Sequence, residues 1–168
     1  EVASVVRMLN DADLPITVRG AGTGVAGGAV PVDGGAVVAL ARLNGNIELD
    51  AASGAVFAPA GSRLIDVERI ASRRGYQLGS PLGDIGIGTV GGALARNGDG
   101  IGGTAGVLHG LVRGIRAVLA DGQCIEAEVD GSHGQSLGGA GLLIGSEGGL
   151  GVITSVQLAL SRRMPARR

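Results

Sequence analysis

The segment Leu14-Pro-Ile-Thr-Val-Arg-Gly-Ala-Gly-Thr-Gly-Val-Ala-Gly-Gly-Ala29 decides how the chain is interpreted. A short β-branched run at 16–18 ends in a loop that contains five glycines and one hydroxyl, Thr23. Closely spaced glycines let successive backbone N–H groups turn toward one point, because no Cβ stands in the way. Such a concave nest suits a phosphate or a diphosphate. The loop therefore predicts a protein built around a phosphorylated cofactor.

The loop by itself leaves a second interpretation open. It does not match the P-loop pattern, since the chain contains no lysine. It does not match the dinucleotide fingerprint GxGxxG either, because Pro31 and the turn at 33–35 follow where that fingerprint requires a helix. A plain glycine-rich turn between two strands and a phosphate-binding loop both remain compatible with this segment.

Composition narrows the class of protein. A length of 168 residues suits one domain, and the formal net charge of −1 gives no reason to expect nucleic acid as a partner. No apolar run is long enough to span a bilayer, so no membrane insertion is expected. The single cysteine, Cys124, excludes an internal disulfide framework and a zinc cluster. We expect a cytoplasmic protein without a metal, in which Cys124 is a small buried residue.

Hydrophobic periodicity predicts an α+β domain with mixed and antiparallel sheets and flanking helices. Helices are predicted from residue 2 to before Leu14, from Ser62 as N-cap to Gly75, and at 90–96. Strands are predicted at 16–18, 36–40, 46–50, 55–60, 115–120, 124–129 and 152–160. Because the chain has 34 glycines and only two aromatic residues, its core must consist of Val, Ile, Leu and Ala.

Five segments in a fixed order carry a resemblance to a known family. They are RGAGTGVAGGA at 19–29, PLGDIG at 81–86, TVGGALARNGDG at 89–100, VLHGLVRGIRAVLADG at 107–122 and LLIGSEGGLGVIT at 142–154. Together they resemble the PCMH-type, vanillyl-alcohol oxidase-like FAD-binding domain. The most similar branch holds the glycolate oxidase FAD subunit and the D-lactate and D-2-hydroxyglutarate dehydrogenases. The resemblance implies a two-lobed domain, with lobes at about 1–56 and 57–168 and FAD between them.

The resemblance also implies which residues hold the cofactor. The diphosphate would lie on backbone N–H groups of a loop whose glycines allow close approach: Gly20, Ala21, Gly22, Thr23, Gly24, Gly27 and Gly28. The ribityl chain and the flavin ring would lie along Pro81, Thr89, Gly91, Gly92, Asn97 and Gly98. The adenosine half would lie near Glu147, Gly148, Gly151 and Ile153. Such a main-chain cradle needs no basic residue. Covalently flavinylated members carry a histidine in or near the first loop, and none is present here, so non-covalent FAD is expected.

Family members use the flavin to remove a hydride from the Cα–H bond of a 2-hydroxy acid, which yields a 2-oxo acid. Their catalytic base and carboxylate-binding arginines lie mostly in a cap domain that follows the FAD domain. The chain ends where that domain would start, so we assign no catalytic residue. The expected partners are a small 2-hydroxy acid, reached through a cap domain or a partner subunit, and a second copy or a different subunit of an oligomer.

Departures from the family pattern keep two alternatives open. The pair at 105–106, the segment SLGGAGL at 136–142 and Gly149 lack aromatic or hydrogen-bonding side chains that the family usually has near the flavin. A non-catalytic flavin-carrying subunit is one alternative, and a degenerate structural or interaction module is the other. His109 is interpreted as a turn histidine rather than a base, because no partner acid is apparent.

Overall fold

The computed structural model describes residues 1–78, 87–97, 107–128 and 138–163. The helices are α1 (Val2–Asp11), α2 (Leu64–Arg73), α3 (Val90–Arg96) and α4 (Val107–Leu111), with 3₁₀ turns at Leu40–Arg42 and Gly138–Leu143. The strands are β1 (Ile16–Arg19), β2 (Ala36–Ala39), β3 (Glu48–Asp50), β4 (Ala55–Pro59), β5 (Tyr76–Gln77), β6 (Val112–Val118), β7 (Cys124–Glu128), β8 (Val152–Ala159) and β9 (Ser161–Arg162). Within these ranges, every helix is too short or too polar to cross a bilayer.

The largest sheet has five antiparallel strands in the order β3-β4-β8-β6-β7. The alternation along 152–160 predicts a half-buried strand, but in the central strand β8 Ile153 is buried between the alternating positions, together with Val152, Val156 and Leu158. The difference arises because β8 pairs with β4 on one side and with β6 on the other. A strand in this position is shielded by neighbours on both edges, whatever its sequence alternation suggests.

A smaller parallel pair carries the glycine-rich loop. Residues Ile16–Arg19 of β1 pair in register with Ala36–Ala39 of β2, and the loop connects the two strands. The apolar run at 36–40 predicted a fully buried strand, but burial alternates along β2 and Val37 is exposed. The reason is that a two-stranded sheet at the surface is covered on one face only. The α+β class with mixed sheets and flanking helices is confirmed.

The helices cover one face of the five-stranded sheet. Leu64 and Val67 of α2, together with Val90 and Leu94 of α3, are buried in one cluster with the inner residues of the sheet. Helix α1 adds Val6 to the same cluster. The buried side chains of this cluster are aliphatic, as the scarcity of aromatic residues predicted. Packing against the sheet is what holds α3, a helix of only seven residues, in place.

Two predictions about single side chains are wrong. Cys124, expected in the core, is exposed because β7 is an edge strand of the sheet. Ser62, expected to cap α2, lies one residue too early, since the helix begins at Leu64 after Arg63. Instead the backbone of Ser62 joins two elements: its N–H donates to the Pro59 carbonyl (3.0 Å) and its carbonyl accepts from the Val90 N–H (2.9 Å).

The expected boundary between two lobes near residue 56 falls inside β4. Both β3 and β4 belong to the five-stranded sheet, so residues 48–59 are continuous with the later part of the chain. The division into lobes with a cofactor between them stays a prediction.

The hydroxyl of Ser62 is buried and has no hydrogen-bond partner among the described residues. We expect Ser62→Ala to raise the free energy of unfolding by about 1 kcal/mol, because it removes an unsatisfied polar atom and leaves the backbone bonds intact. Urea denaturation measures the change. Ser146→Ala is the matched control: its hydroxyl donates to the Leu143 carbonyl (2.9 Å), so the same substitution should lower stability by about 1 kcal/mol. Destabilisation by both variants would contradict the conclusion that the Ser62 hydroxyl has no hydrogen-bond partner.

Candidate functional site

A cleft of about 610 Å³, including its open mouth, lies between the glycine-rich loop and α3. The loop side is formed by Gly20, Ala21, Gly22, Thr23, Gly24, Ala26, Gly28 and Ala29. The opposite side is formed by Gly88, Thr89, Gly92, Ala93, Ala95 and Arg96, and Val18 and Glu147 complete the lining.

The loop presents its backbone to this cleft. Gly22 (φ +72°) and Gly27 (φ +89°) adopt the left-handed conformation that glycine allows without strain. Within the described part of the chain, the N–H groups of Ala21, Gly22 and Gly24 have no hydrogen-bond acceptor. The space beside the Cα atoms of Gly24 and Gly27 is open. The loop therefore offers unpaired amide donors at an accessible surface, as the sequence predicted for an anion nest.

The start of α3 does not add amides to that nest. The N–H groups of Val90 and Gly91 donate to the carbonyls of Ser62 and Ala60, both at 2.9 Å. The Gly92 N–H donates to the hydroxyl of Thr89 (3.3 Å), which is the N-cap of the helix. Protein acceptors thus occupy these three donors of α3. Anion-binding amides in the cleft must come from the loop.

The loop and α3 approach each other at Gly20. A Cβ at this position would overlap the Thr89 hydroxyl and lie 3.5 Å from the Cα of Gly92. The absence of a side chain at residue 20 is what lets β1 enter the loop directly beside the helix.

Glu147 closes the other end of the cleft. Its N–H donates to the Ala95 carbonyl (2.8 Å), and the Gly145 N–H donates to the Leu94 carbonyl (3.0 Å), so this turn is fixed to the last turn of α3. Glu147 has a φ of +52°, which is uncommon for a residue with a side chain. Its carboxylate reaches the loop: a Cβ on Gly28 would lie 2.6 Å from Oε2.

The structure brings together nine of the residues singled out from the sequence. Those that line the cleft are Gly20, Ala21, Gly22, Thr23, Gly24, Gly28, Thr89, Gly92 and Glu147. Those outside its lining are Gly27, Gly91, Asn97, Gly148, Gly151 and Ile153. Pro81 and Gly98, like the segment at 81–86, lie outside the described residues. The assignment of any of these residues to a cofactor stays a prediction.

Several of the residues outside the lining have a visible packing role. A Cβ on Gly91 would lie 2.6 Å from the Cβ of Ala60, so this glycine lets α3 pack against the end of β4. A Cβ on Gly148 would lie 3.0 Å from the Cβ of Val18, and one on Gly151 would lie 2.9 Å from the Val118 carbonyl oxygen. Ile153 is a buried core residue of β8.

Sequence reasoning missed the part of the wall that small apolar residues and one cation form. The residues it did not name are Val18, Ala26, Ala29, Gly88, Ala93, Ala95 and Arg96. The helical spacing contained a signal for Arg96. Gly92 and Arg96 stand four residues apart in α3 and therefore share one face of the helix. Arg96 thus adds a guanidinium to the lining, in addition to the backbone amides that the resemblance implies.

Comparison with known proteins identifies the family. A family model described as "FAD binding domain" matches residues 1–128. The chain belongs to this family of FAD-binding domains. The D-lactate dehydrogenase of Archaeoglobus fulgidus is 34% identical over 168 residues, which cover 98% of this chain and 37% of the relative. The mitochondrial D-2-hydroxyglutarate dehydrogenase of Bos taurus is 33% identical over 162 residues, which cover 94% of this chain and 29% of the relative. This FAD-binding domain therefore spans about a third of the length of the curated relatives it matches.

The fold also matches solved structures. A structure of alkyldihydroxyacetonephosphate synthase superposes with a TM-score of 0.79 at 22% identity, covering 96% of this chain and 30% of the other. At this level of identity the likeness establishes a shared fold.

The residues present in the cleft fit the diphosphate of FAD. A dianion requires donors that are not already used, and the amides of Ala21, Gly22 and Gly24 meet this condition. It also requires room next to the backbone, which the open position at Gly24 provides. A Cβ at Gly24 would extend into that space.

A double-mutant cycle tests the close approach between Gly20 and Thr89. We expect Gly20→Ala to lower the free energy of unfolding by about 1–3 kcal/mol, because the new methyl group overlaps the Thr89 hydroxyl. Thr89→Ala removes that oxygen, so the double variant should lose clearly less stability than the sum of the two single variants. Urea denaturation of all four proteins gives the coupling energy. Additivity within about 0.5 kcal/mol would show that the two residues do not touch.

Proposed function

We propose that this chain is the FAD-binding domain of a flavin-dependent dehydrogenase or oxidase of D-2-hydroxy acids, with D-lactate, glycolate and D-2-hydroxyglutarate as the substrate class. The observation that carries the proposal is the loop with unpaired amides facing a cleft whose other wall is α3. The two relatives described above, which are named as dehydrogenases of D-lactate and D-2-hydroxyglutarate, support the choice of substrate class.

In this proposal the loop amides of Ala21, Gly22 and Gly24 hold the diphosphate. Thr89 caps α3 by accepting the Gly92 N–H, and its hydroxyl lies beside Gly20, where the loop begins. When bound, FAD would supply the two-electron acceptor that converts the Cα–H and hydroxyl of a 2-hydroxy acid into a 2-oxo acid. The chain's own contribution is to hold and orient the cofactor along α3. The first loop contains no histidine, so the proposal is for non-covalent FAD.

A second candidate function is a flavin-carrying subunit that acts only beside a partner. The feature that favours it is a set of exposed valines in the same loop: Val25, Val30 and Val32, which are 102%, 58% and 83% exposed. Apolar side chains this exposed beside a cofactor cleft are typical of a surface that another domain or subunit covers. Both candidates predict that this chain alone leaves its flavin oxidised, because the base and the carboxylate-binding arginines are expected in a cap domain. Reduction of the flavin by D-lactate, glycolate or D-2-hydroxyglutarate in one polypeptide that carries both domains favours the dehydrogenase, whereas reduction that requires a separate subunit favours the carrier.

The first prediction from the proposed function concerns the absorption spectrum of the protein. The purified chain, or the chain incubated with FAD and freed of excess ligand, should show flavin absorption, and heat denaturation should release FAD into the supernatant. Release is expected because no covalent link is proposed. A protein that remains colourless after incubation with FAD would contradict the proposal and favour a degenerate structural module.

The second prediction places the diphosphate. Gly24→Asp should weaken FAD binding by more than about tenfold, since a carboxylate about 5 Å from a phosphate charge costs about 3 kcal/mol at an effective dielectric constant of about 20. The position is suitable because nothing lies within 4 Å of a Cβ there. Gly22→Asp is a less direct test, because its side chain would meet the Arg19 guanidinium. Quenching of flavin fluorescence gives the dissociation constants.

Gly45→Asp is the matched control for Gly24→Asp. It makes the same change of charge at an exposed position outside the cleft lining, where a Cβ would meet only the Cγ of Pro59 at 4.0 Å. The control should bind FAD like the wild type. Equal dissociation constants for the two variants would show that the diphosphate does not lie at the loop.

A further inference from the structure

We propose that Arg96 is a direct cationic contact for the diphosphate of the dinucleotide, so that the cleft combines a main-chain cradle with one guanidinium. The inference rests on the proposed function, since it assumes that FAD occupies the cleft. It assigns to Arg96 a binding role that the glycine-rich motif does not require.

The balance of charge in the cleft is the first argument. Among the described lining residues, Arg96 and Glu147 carry formal charges of opposite sign. The carboxylate of Glu147 has no hydrogen bond or ion pair within the described part of the chain, so its negative charge is not neutralised locally. A diphosphate adds about two further negative charges to the same space. Backbone amide dipoles alone would then face an excess of negative charge, and Arg96 places a guanidinium, whose planar set of donors can bind phosphate oxygens, on the wall of the cleft.

The position of Arg96 is the second argument. Gly92, one turn earlier on the same face of α3, lies beside Gly20, where the loop begins. Ala95, the residue before Arg96, accepts the Glu147 N–H. Arg96 is therefore attached to the helix between the start of the loop and the acidic end of the cleft. It also stands in the last turn of α3, where a cation offsets the negative end of the helix dipole and a phosphate alone would be repelled.

The nearest other cation does not fill this role. The guanidinium of Arg19 lies against the loop, since a Cβ on Gly22 would be 2.7 Å from its Nε. Arg19 is nevertheless absent from the residues that line the cleft. Strand alternation explains this, because the preceding residue, Val18, points into the cleft and successive side chains of β1 point to opposite sides.

The test compares four proteins made from the full chain: wild type, Arg96→Gln, Arg96→Lys and Arg74→Gln. Arg74 is exposed after the end of α2 and outside the cleft lining, so Arg74→Gln makes the same change of charge at an unrelated position. Dissociation constants for FAD and for riboflavin, which has no phosphate, are measured by flavin fluorescence at about 0.03 M and about 0.3 M NaCl. These salt concentrations change the screening length about threefold.

We expect Arg96→Gln to weaken FAD binding about tenfold or more at low salt and to leave riboflavin binding unchanged. Its FAD affinity should also depend less on salt than that of the wild type, because one charge–charge contact is missing. Arg96→Lys should recover part of the FAD affinity, because lysine keeps the positive charge but lacks the planar set of hydrogen-bond donors of a guanidinium. Arg74→Gln should behave like the wild type.

Three results would overturn the inference. The first is equal FAD dissociation constants for Arg96→Gln and Arg74→Gln. The second is an equal loss of affinity for FAD and for riboflavin in Arg96→Gln. The third is an Arg96→Gln variant that binds FAD more weakly but whose FAD affinity depends on salt as strongly as that of the wild type. The last two would show that Arg96 supports the fold of the cleft rather than the phosphate. A wild-type protein that binds no FAD would instead overturn the proposed function, and this inference with it.

Discussion

The attachment of α3 to the end of β4 is the constraint on which the cleft depends. Two backbone hydrogen bonds, from Val90 and Gly91 to Ser62 and Ala60, fix the first turn of the helix against the five-stranded sheet. The contact is so close that only glycine fits at residue 91, opposite the Ala60 methyl group. Because α3 has seven residues, it could not persist without this anchoring. One wall of the cleft is thus defined by main-chain bonds and the absence of a side chain.

Backbone groups line the cleft near the start of α3, and charged side chains line it near the end. Near the start of α3 the cleft consists of glycines and the Thr89 cap, and the available donors are loop amides. Near the end of α3 it contains Arg96 and Glu147, and the turn of Glu147 is fixed to the helix by hydrogen bonds. Amide dipoles held by strands and turns need no reorganisation to meet an anion, whereas the contribution of charged side chains depends on the salt concentration.

The fold is shared with a protein of low sequence identity. The domain superposes on alkyldihydroxyacetonephosphate synthase with a TM-score of 0.79 although only 22% of the residues are identical. What a main-chain cradle requires is a backbone path, and glycine at the points where that path approaches another element, such as residues 20 and 91. The remaining positions are free to change as long as the aliphatic core is filled.

The sequence by itself determined the local elements, because periodicity and glycine act over a few residues. It was sufficient to predict α1, the strand into the glycine loop, the short helix α3 and the hairpin turn at 121–122. It also predicted an anion-binding role for the loop, since closely spaced glycines allow successive amides to turn toward one point. The ordered motifs were sufficient to indicate the family that the comparisons confirm.

Only the tertiary structure decided what each residue of those elements faces. Gly91 and Gly92 are adjacent and identical, yet the first packs on Ala60 and the second lines the cleft, because consecutive helical residues point about 100° apart. The same rotation brings Arg96 to the side of Gly92 and adds a cation to the cleft. The burial of β8 and the exposure of Cys124 depend on which strand lies at the centre of the sheet and which at its edge. Pairing partners distant in the chain set that order, and no local pattern encodes it.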